Sequence, residues 1–234
     1  MRLSFAASIA KYKQDSRLNE DAMGDRASLG VYAVSDGASE SFDSRRWSKL
    51  LVRLFLANAH VDERWLHRAV SLYVRQFDRE AMTWSAQAAF DRGSFATLTG
   101  IVISPGRSQV QVLGVGDSLA VLVDGTHLVS SYPYQRPEQF ALRPLLLSTV
   151  WEQNRALLGN ALAGLGARWS LRHLRDASVL LMTDALGAWL LRDPRSRVPK
   201  LLNLNTSLQF EALVGHERMN GQMRRDDTTL AVIR

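Results

Sequence analysis

The sequence predicts an α+β protein with largely antiparallel sheets. Short segments rich in Val, Ile and Leu resemble strands and occur in clusters, and longer helical patterns separate the clusters. Strands and helices do not alternate strictly, which argues against a doubly wound parallel sheet. The 234 residues, 46% of them hydrophobic, suffice for one domain with a sizeable core. We therefore expect a single domain over residues 1–234.

Seven segments are predicted to be strands. In the first of them, Leu3, Phe5 and Ala7 share one face, as alternation along a strand requires. The dipeptide Asp124-Gly125 lies between two apolar runs and predicts a hairpin turn. The predicted strands are 3–9, 29–35, 96–103, 109–115, 120–124, 178–182 and 228–233.

Helical spacing of apolar residues predicts the helices between these strands. Residues 44–59 form one pattern, and residues 63–89 form a long one with room for a break inside it. Further helices are expected around 146–158, from 186 to 191 and over 207–218, whereas 133–144 and 194–199 read as turns or loops. The segment 125–176 is the most probable place for a variable insertion.

Composition excludes several classes of function. The chain has no cysteine, so disulfides, thiolate metal sites and cysteine nucleophiles are excluded. No apolar run reaches the roughly 18 residues of a membrane span, and the N-terminus reads as a strand, so we expect a cytoplasmic protein without a membrane partner. The net charge of +6 raises nucleic-acid binding as a hypothesis that is motivated by charge alone, and we expect no nucleic-acid partner.

Carboxylates cluster at the predicted strand ends. Asp36, Asp117 and Asp184 each follow a strand, the pair Asp226-Asp227 precedes one, and the pair Glu20-Asp21 follows an asparagine. Each alone reads most simply as a solvated turn residue. Five such places together suggest a site in which the carboxylates would repel one another unless a cation intervenes. Oxygen ligands without Cys or His fit a hard cation such as Mg²⁺ or Mn²⁺.

Six motifs occur in an order that resembles the PPM family, the metal-dependent type 2C protein Ser/Thr phosphatases, in a divergent bacterial form. They are RLNEDA (17–22), VSDGAS (34–39), GSFATLTGIVI (93–103), GVGDSLAVLV (114–123), LLMTDALGAWL (180–190) and RRDDTTLAVI (224–233). The resemblance implies a four-layer α-β-β-α sandwich of two antiparallel sheets flanked by helices. It also implies hydrolysis of phosphoserine and phosphothreonine in proteins by a hydroxide that bridges two Mn²⁺ or Mg²⁺ ions.

The resemblance also assigns roles to residues. Asp36 would bridge both ions, Glu20 and the Gly37 carbonyl would bind one, and Asp184 and Asp226 would bind the other. Asp21 would hold metal-bound water, Asp227 would orient its neighbours, and Asp117 with Asp184 is associated with a third, weaker ion. Arg17 is the candidate for phosphate binding, and 125–176 would contain the substrate-facing flap. The implied partner is a phosphorylated protein. The sequence does not fix the oligomeric state, and our expectation is a monomer.

Some positions depart from the family pattern. The arginine stands three rather than four residues before Glu20, Ala185 replaces a glycine after Asp184, and no histidine follows Asp36. These departures leave a second hypothesis open, a catalytically silent PPM-fold module that regulates or binds. A basic run around the fifth motif is by default a solvated surface, and its sharper interpretation is docking of an acidic partner or phosphopeptide. It comprises Arg172, Arg175, Arg192, Arg195, Arg197 and Lys200.

Overall fold

Two five-stranded antiparallel sheets dominate the computed structural model, which describes residues 1–12, 18–106, 108–158 and 164–234. The first sheet has the strand order β1-β12-β11-β7-β8 and the second β10-β6-β5-β3-β2; β4 and β9 form a separate pair. The strands are β1 (Leu3–Ile9), β2 (Ala22–Arg26), β3 (Val31–Ser35), β4 (Phe95–Ala96), β5 (Leu98–Ile103), β6 (Gln109–Val115), β7 (Leu119–Asp124), β8 (His127–Tyr132), β9 (Leu147–Ser148), β10 (Gly166–Ser170), β11 (Ala177–Met182) and β12 (Thr228–Ile233).

Three apolar clusters divide the molecule into four layers. Tyr32 and Ile101 of one sheet pack with Leu122 and Leu181 of the other in the cluster between the sheets. The outer face of the first sheet is covered by helices through residues such as Trp189, and that of the second through residues such as Trp47. This arrangement confirms the predicted α-β-β-α sandwich.

The helices begin at capping residues that the sequence supplies. The Asp62 side chain accepts a hydrogen bond from Trp65 N (2.7 Å), and Thr206 and Gln209 form a reciprocal capping box. The described helices are α1 (Ser44–Ala57), α2 (Glu63–Val74), α3 (Trp84–Arg92), α4 (Asp184–Arg192), α5 (Pro194–Leu202) and α6 (Ser207–Met219). The long pattern over 63–89 is thus two helices, with the break at 75–83.

Two predictions of secondary structure were wrong. The expected helix over 146–158 is the short strand β9 followed by a 3₁₀ helix, Trp151–Leu157. The buried Asn154 amide accepts from Ser148 N (2.9 Å) and donates to Ser148 O (3.0 Å), which holds the chain in this turn. The expected loop at 194–199 lies within helix α5, because Asp193 caps it and Pro194 suits its first turn.

The predicted variable region 125–176 is partly built into the sheets. Its ends form the edge strands β8 and β10, and Gly125 takes a positive φ of 58° in the β7–β8 hairpin turn that the sequence predicted. Between them lie β9 and the 3₁₀ helices Pro137–Ala141 and Trp151–Leu157. In the described part of the chain, no helix has the length and apolarity to cross a membrane.

Candidate metal centre

The strand registers bring the predicted site residues to one end of the sandwich. Ala22 pairs with Ser35 in β2 and β3, so Asp21 and Asp36 are neighbours beyond that pair. In the other sheet Met182 pairs with Leu230, which sets the end of β11 beside the start of β12. Antiparallel pairing places the start of one strand beside the end of the next, so carboxylates distant in sequence converge.

Side-chain hydrogen bonds join the two sheets at this end. Asp21 Oδ2 accepts from Thr183 Oγ1 at 3.1 Å and from Thr229 Oγ1 at 2.6 Å. The backbone N–H of Glu20 donates to Asp227 Oδ2 at 2.6 Å, and that of Lys11 donates to Asp227 Oδ1 at 2.6 Å. Both carboxylate oxygens of Asp227 therefore accept hydrogen bonds from backbone N–H groups. These bonds hold the segment before β2 next to the start of β12.

Asp36 lies at the centre of the acidic cluster. Its backbone is held by Thr97, whose Oγ1 accepts from Asp36 N (2.8 Å) and whose N–H donates to Asp36 O (2.8 Å). Burial raises the pKa of the Asp36 carboxyl well above its usual range. Neighbouring negative charges raise it further; in order of effect they belong to Asp21, Asp184, Asp117 and Asp226.

Asp21 carries an unsatisfied oxygen. Its Oδ1 is buried and has no hydrogen-bond partner among the described residues, while Oδ2 accepts from the two threonines. Burial raises the pKa of this carboxyl well above normal, against the lowering effect of Thr229. A buried carboxylate oxygen without a donor is costly, and a cation or a water held by a cation would satisfy it.

Asp117 occupies the turn between β6 and β7. Burial first, and then the charge of Asp184, raise the pKa of its carboxyl to about 6. The turn is fixed below it by Ser118, whose Oγ is hydrogen-bonded to Thr97 Oγ1 at 2.6 Å. Asp117 belongs to the same acidic cluster as Asp36, because its charge acts on Asp36, and it lies where the chain passes from one sheet to the other.

An arginine neutralises the remaining two carboxylates. Arg224 Nη2 forms ion pairs with Asp184 Oδ2 and, at 3.1 Å, with Asp226 Oδ2. Burial tends to lower the pKa of Arg224, but Asp184 and Asp226 together raise it above its usual value. Asp184 also accepts from Ala185 N (2.5 Å) at the start of α4, where the helix dipole favours a negative charge.

Glu20 and Gly37 meet beside helix α1. Glu20 Oε1 accepts from Ser44 Oγ, and the Glu20 carbonyl accepts from Ser48 Oγ at 2.6 Å. A Cβ added at Gly37 would lie 2.9 Å from the Ser44 carbonyl oxygen and 3.0 Å from that of Glu20. The backbone at 37 can therefore approach Glu20 so closely only because the residue is glycine.

The donor set fits hard divalent cations. Five carboxylates that interact electrostatically, one with an orphaned oxygen, supply oxygen ligands and uncompensated negative charge. No three His, Asp or Glu side chains stand as a ready-made metal-binding group within residues 1–12, 18–106, 108–158 and 164–234. Two of the carboxylates, Asp184 and Asp226, are paired with Arg224.

Sequence reasoning missed the arginine and the hydroxyls. Arg224 stood within the quoted RRDD motif without a role, although a cation next to an acidic pair in a predicted acidic site was a usable signal. The hydroxyls of Thr97, Thr183 and Thr229 carry no such signal, because threonine is common in strands. Arg17, the predicted phosphate ligand, lies outside the described residues.

Comparison with solved structures establishes the fold. The serine/threonine phosphatase Stp1 from Staphylococcus aureus superposes with a TM-score of 0.62 at 14% sequence identity, covering 100% of this chain and 96% of that one. The PPM Ser-Thr phosphatase MsPP from Mycobacterium smegmatis gives 0.57 at 18% identity, with 100% and 99% covered. PppA, described as a regulatory component of T6SS in Pseudomonas aeruginosa, gives 0.57 at 17% identity, with 98% and 96% covered.

The chain therefore has the fold of the PPM-type Ser/Thr phosphatases over nearly its whole length, as the motif order predicted. No protein-family profile matches the sequence, and no curated protein matches it. At identities of 14–18%, the likeness concerns the arrangement of the backbone.

Proposed function

We propose that this protein is a Mn²⁺- or Mg²⁺-dependent phosphatase that hydrolyses phosphoserine and phosphothreonine in proteins. The observation that carries the proposal is the convergence of carboxylates from separate segments of both sheets. Burial, and then the charges of the four other carboxylates, raise the pKa of Asp36. This accumulation of buried negative charge occurs in the fold of the PPM-type phosphatases. Bound cations would offset the charge and stabilise it.

The proposed ligand set is the one that the motifs predicted. Asp36 would bind two ions, Glu20 and the Gly37 carbonyl one of them, and Asp184 and Asp226 the other. Asp21, through its orphaned oxygen, would hold a water of the site, and Asp117 would serve a third, weaker ion. Bound divalent cations lower the pKa of water toward neutrality and offset the charge of phosphoryl oxygens.

Other residues of the chain hold the proposed ligands in place and form the walls of the site. Asp227 fixes the backbone of Glu20, and Thr97 fixes that of Asp36, so the two carboxylates keep their relative positions. A cavity of about 440 Å³ beside Asp184 and Arg224 is walled by Phe140 and Glu138 of the 125–176 region. Within a single domain over 1–234, we propose this region as the flap that faces the substrate, here a phosphorylated protein.

A direct assay tests the function. The protein with Mn²⁺ should hydrolyse p-nitrophenyl phosphate and a phosphothreonine peptide, and both activities should disappear with EDTA. Asp36→Asn should reduce the rate by about 10³-fold or more, because it removes the charge between the two proposed ions. The surface variant Asp176→Asn is the matched control and should keep full activity. Turnover that survives EDTA or Asp36→Asn would contradict the proposal.

A second candidate is favoured by the ion pairs of Arg224. A guanidinium that already neutralises Asp184 and Asp226 suits a catalytically silent module that keeps the fold for binding or regulation. Titration calorimetry distinguishes the two, since a silent module would stay folded and take up no Mn²⁺. With the phosphatase function we also propose that the protein is cytoplasmic, is a monomer and has no nucleic-acid partner.

A further inference from the structure

A groove of about 590 Å³ lies between strand β2 and helix α1. Its cationic lining consists of Arg26, Arg45, Lys49 and Arg53, and we call it the basic groove. Val52, Leu56 and Met23 supply an apolar floor. The groove is distinct from the cavity beside Asp184 and Arg224, because no residue lines both.

The spacing of the basic residues in α1 and a glycine in β2 explain how the local sequence forms this groove. Arg45, Lys49 and Arg53 stand four residues apart and therefore share one face of α1. Gly24 lets β2 pack against that face, since a Cβ there would lie 2.8 Å from Leu56 Cδ1. Like charges at this spacing destabilise a helix. These three like charges therefore lower the stability of α1, without a compensating gain inside the helix.

The four cations of the basic groove differ from their neighbour Arg46 in their ion pairing. None of the four takes part in an ion pair with any described residue, whereas Arg46 on the next face of α1 is paired with Asp43 at 3.0 Å. Arg45 Nε is buried and has no hydrogen-bond acceptor within the described ranges. An enclosed guanidinium N–H without an acceptor marks a place where an anionic group would be stabilised.

The groove opens toward the candidate metal centre. Asn19 and Asp21, which flank the proposed ligand Glu20, line one end of it. Asn19 Nδ2 donates to Ser8 Oγ (2.8 Å), Ser8 Oγ bonds with Thr229 Oγ1 (2.7 Å), and Thr229 Oγ1 donates to Asp21. A chain lying in the groove would thus lead into the site that holds the phosphorylated residue.

The dimensions and chemistry of the lining favour a peptide. From Arg45 to Arg53 the helix rises about 12 Å, the length of three or four extended residues, so one phosphate cannot reach both ends. An apolar floor between cations suits the methylene groups of Asp and Glu side chains. None of the described residues that line the groove is aromatic, whereas proteins that bind single-stranded nucleic acids combine a basic groove with aromatic side chains that stack on the bases.

We propose that the basic groove binds an acidic segment, three or four residues rich in Asp and Glu, beside the phosphorylated residue of the protein substrate. The link to a phosphorylated residue rests on the proposed phosphatase function, whereas the affinity for an acidic peptide does not. The groove would make the enzyme prefer phosphorylation sites with acidic flanks.

Binding is tested without turnover. A fluorescent, unphosphorylated peptide with four consecutive Glu residues is titrated with the full chain in EDTA and followed by anisotropy. Lys49→Glu/Arg53→Glu should weaken binding about tenfold or more. The matched control, Arg64→Glu/Arg68→Glu, makes the same charge change at the same spacing on exposed positions of α2 and should bind like the wild type. Circular dichroism melting confirms that both variants fold.

Three outcomes would overturn the inference: unchanged binding in the groove variant, an equal loss in the control, or an oligothymidine that binds at least as tightly as the peptide. A second arm compares kcat/KM for phosphopeptides with acidic and with neutral flanks. The wild type should prefer the acidic flank, and the groove variant should lose the preference. Peptide binding without any hydrolysis would contradict the phosphatase and leave the groove assignment standing.

Discussion

The two halves of the acidic cluster are neutralised in opposite ways. Asp184 and Asp226, at the ends of β11 and β12, share the guanidinium of Arg224. On the β2–β3 side, Asp21 accepts from two threonine hydroxyls, and neither Asp21 nor Asp36 forms an ion pair with a described residue. Burial raises the pKa of both carboxyls well above the usual range. One half therefore carries its counter-charge within the fold, and the other half depends on a charge from outside.

This difference teaches that the two proposed ions are not equivalent. A cation near Asp36 would be attracted by the neighbouring carboxylates that raise the pKa of Asp36, and one of these, Asp21, has an oxygen without a donor. A cation at Asp184 and Asp226 would compete with Arg224. We therefore expect stepwise metal binding, with the Asp36 side filled first.

The largest effect is expected at Asp36 itself. Asp36→Asn removes a buried charge from four repelling neighbours, so the metal-free protein should gain on the order of 1–3 kcal/mol of stability. In excess Mn²⁺ the wild type should be more stable than Asp36→Asn, because only the wild type gains stability from metal binding. Urea denaturation with EDTA and with Mn²⁺ measures both. Asp176→Asn, an exposed control, should shift neither curve, and a destabilised metal-free Asp36→Asn would contradict the argument.

A smaller effect is expected at Arg224. Arg224→Gln removes the built-in counter-charge and should destabilise the metal-free protein by about 1–2 kcal/mol, a modest figure because the side chain is 58% exposed. The same variant should bind the second Mn²⁺ more tightly, which calorimetry resolves. The control is Arg225→Gln, because the neighbouring Arg225 is exposed and forms no ion pair with a described residue. Weaker metal binding in Arg224→Gln would show that the guanidinium assists the ion instead.

The smallest effect is expected beneath Asp36. Thr97→Val removes the acceptor of the Asp36 N–H and the partner of Ser118 Oγ, at a cost of about 1 kcal/mol in unfolding free energy. Because it acts on one half only, the affinity for the first Mn²⁺ should fall and that for the second should not. Thr126→Val in the exposed hairpin turn serves as the control. An equal change in both affinities would mean that the halves are not separable.

Much of the fold could be predicted from local patterns. The strands at Leu3–Ile9, Gln109–Val115 and Thr228–Ile233 have the predicted bounds, and their alternation and β-branched content explain why. The strands β2 and β10 escaped prediction. β2 contains Gly24 and Asp25, which are unfavourable in strands, and it persists through pairing with β3 along its whole length.

The basic residues show where sequence patterns fail. The run around the fifth motif suggested a docking surface, but the structure uses part of it internally. Arg197 stacks over the Trp189 ring at 4.7 Å, and Lys200 pairs with the buried Glu217 at 3.5 Å. Arg45, Lys49 and Arg53 of α1 form no ion pair with a described residue, although the sequence pattern there indicated only a helix. Which cations find partners depends on elements distant in sequence.

The sequence by itself determined the class of fold, the order of the acidic motifs and the kind of cation they suit, because strand periodicity and residue chemistry are local properties. Only the tertiary structure decided which carboxylates interact, which carboxylate oxygen lacks a hydrogen-bond donor and which carboxylates form ion pairs with Arg224. Those outcomes depend on the registers of β2 with β3 and of β11 with β12, and on the contact between the two sheets. Electrostatic energy depends on distances through space, and residues 21, 36, 184 and 226 become neighbours only when both sheets have formed.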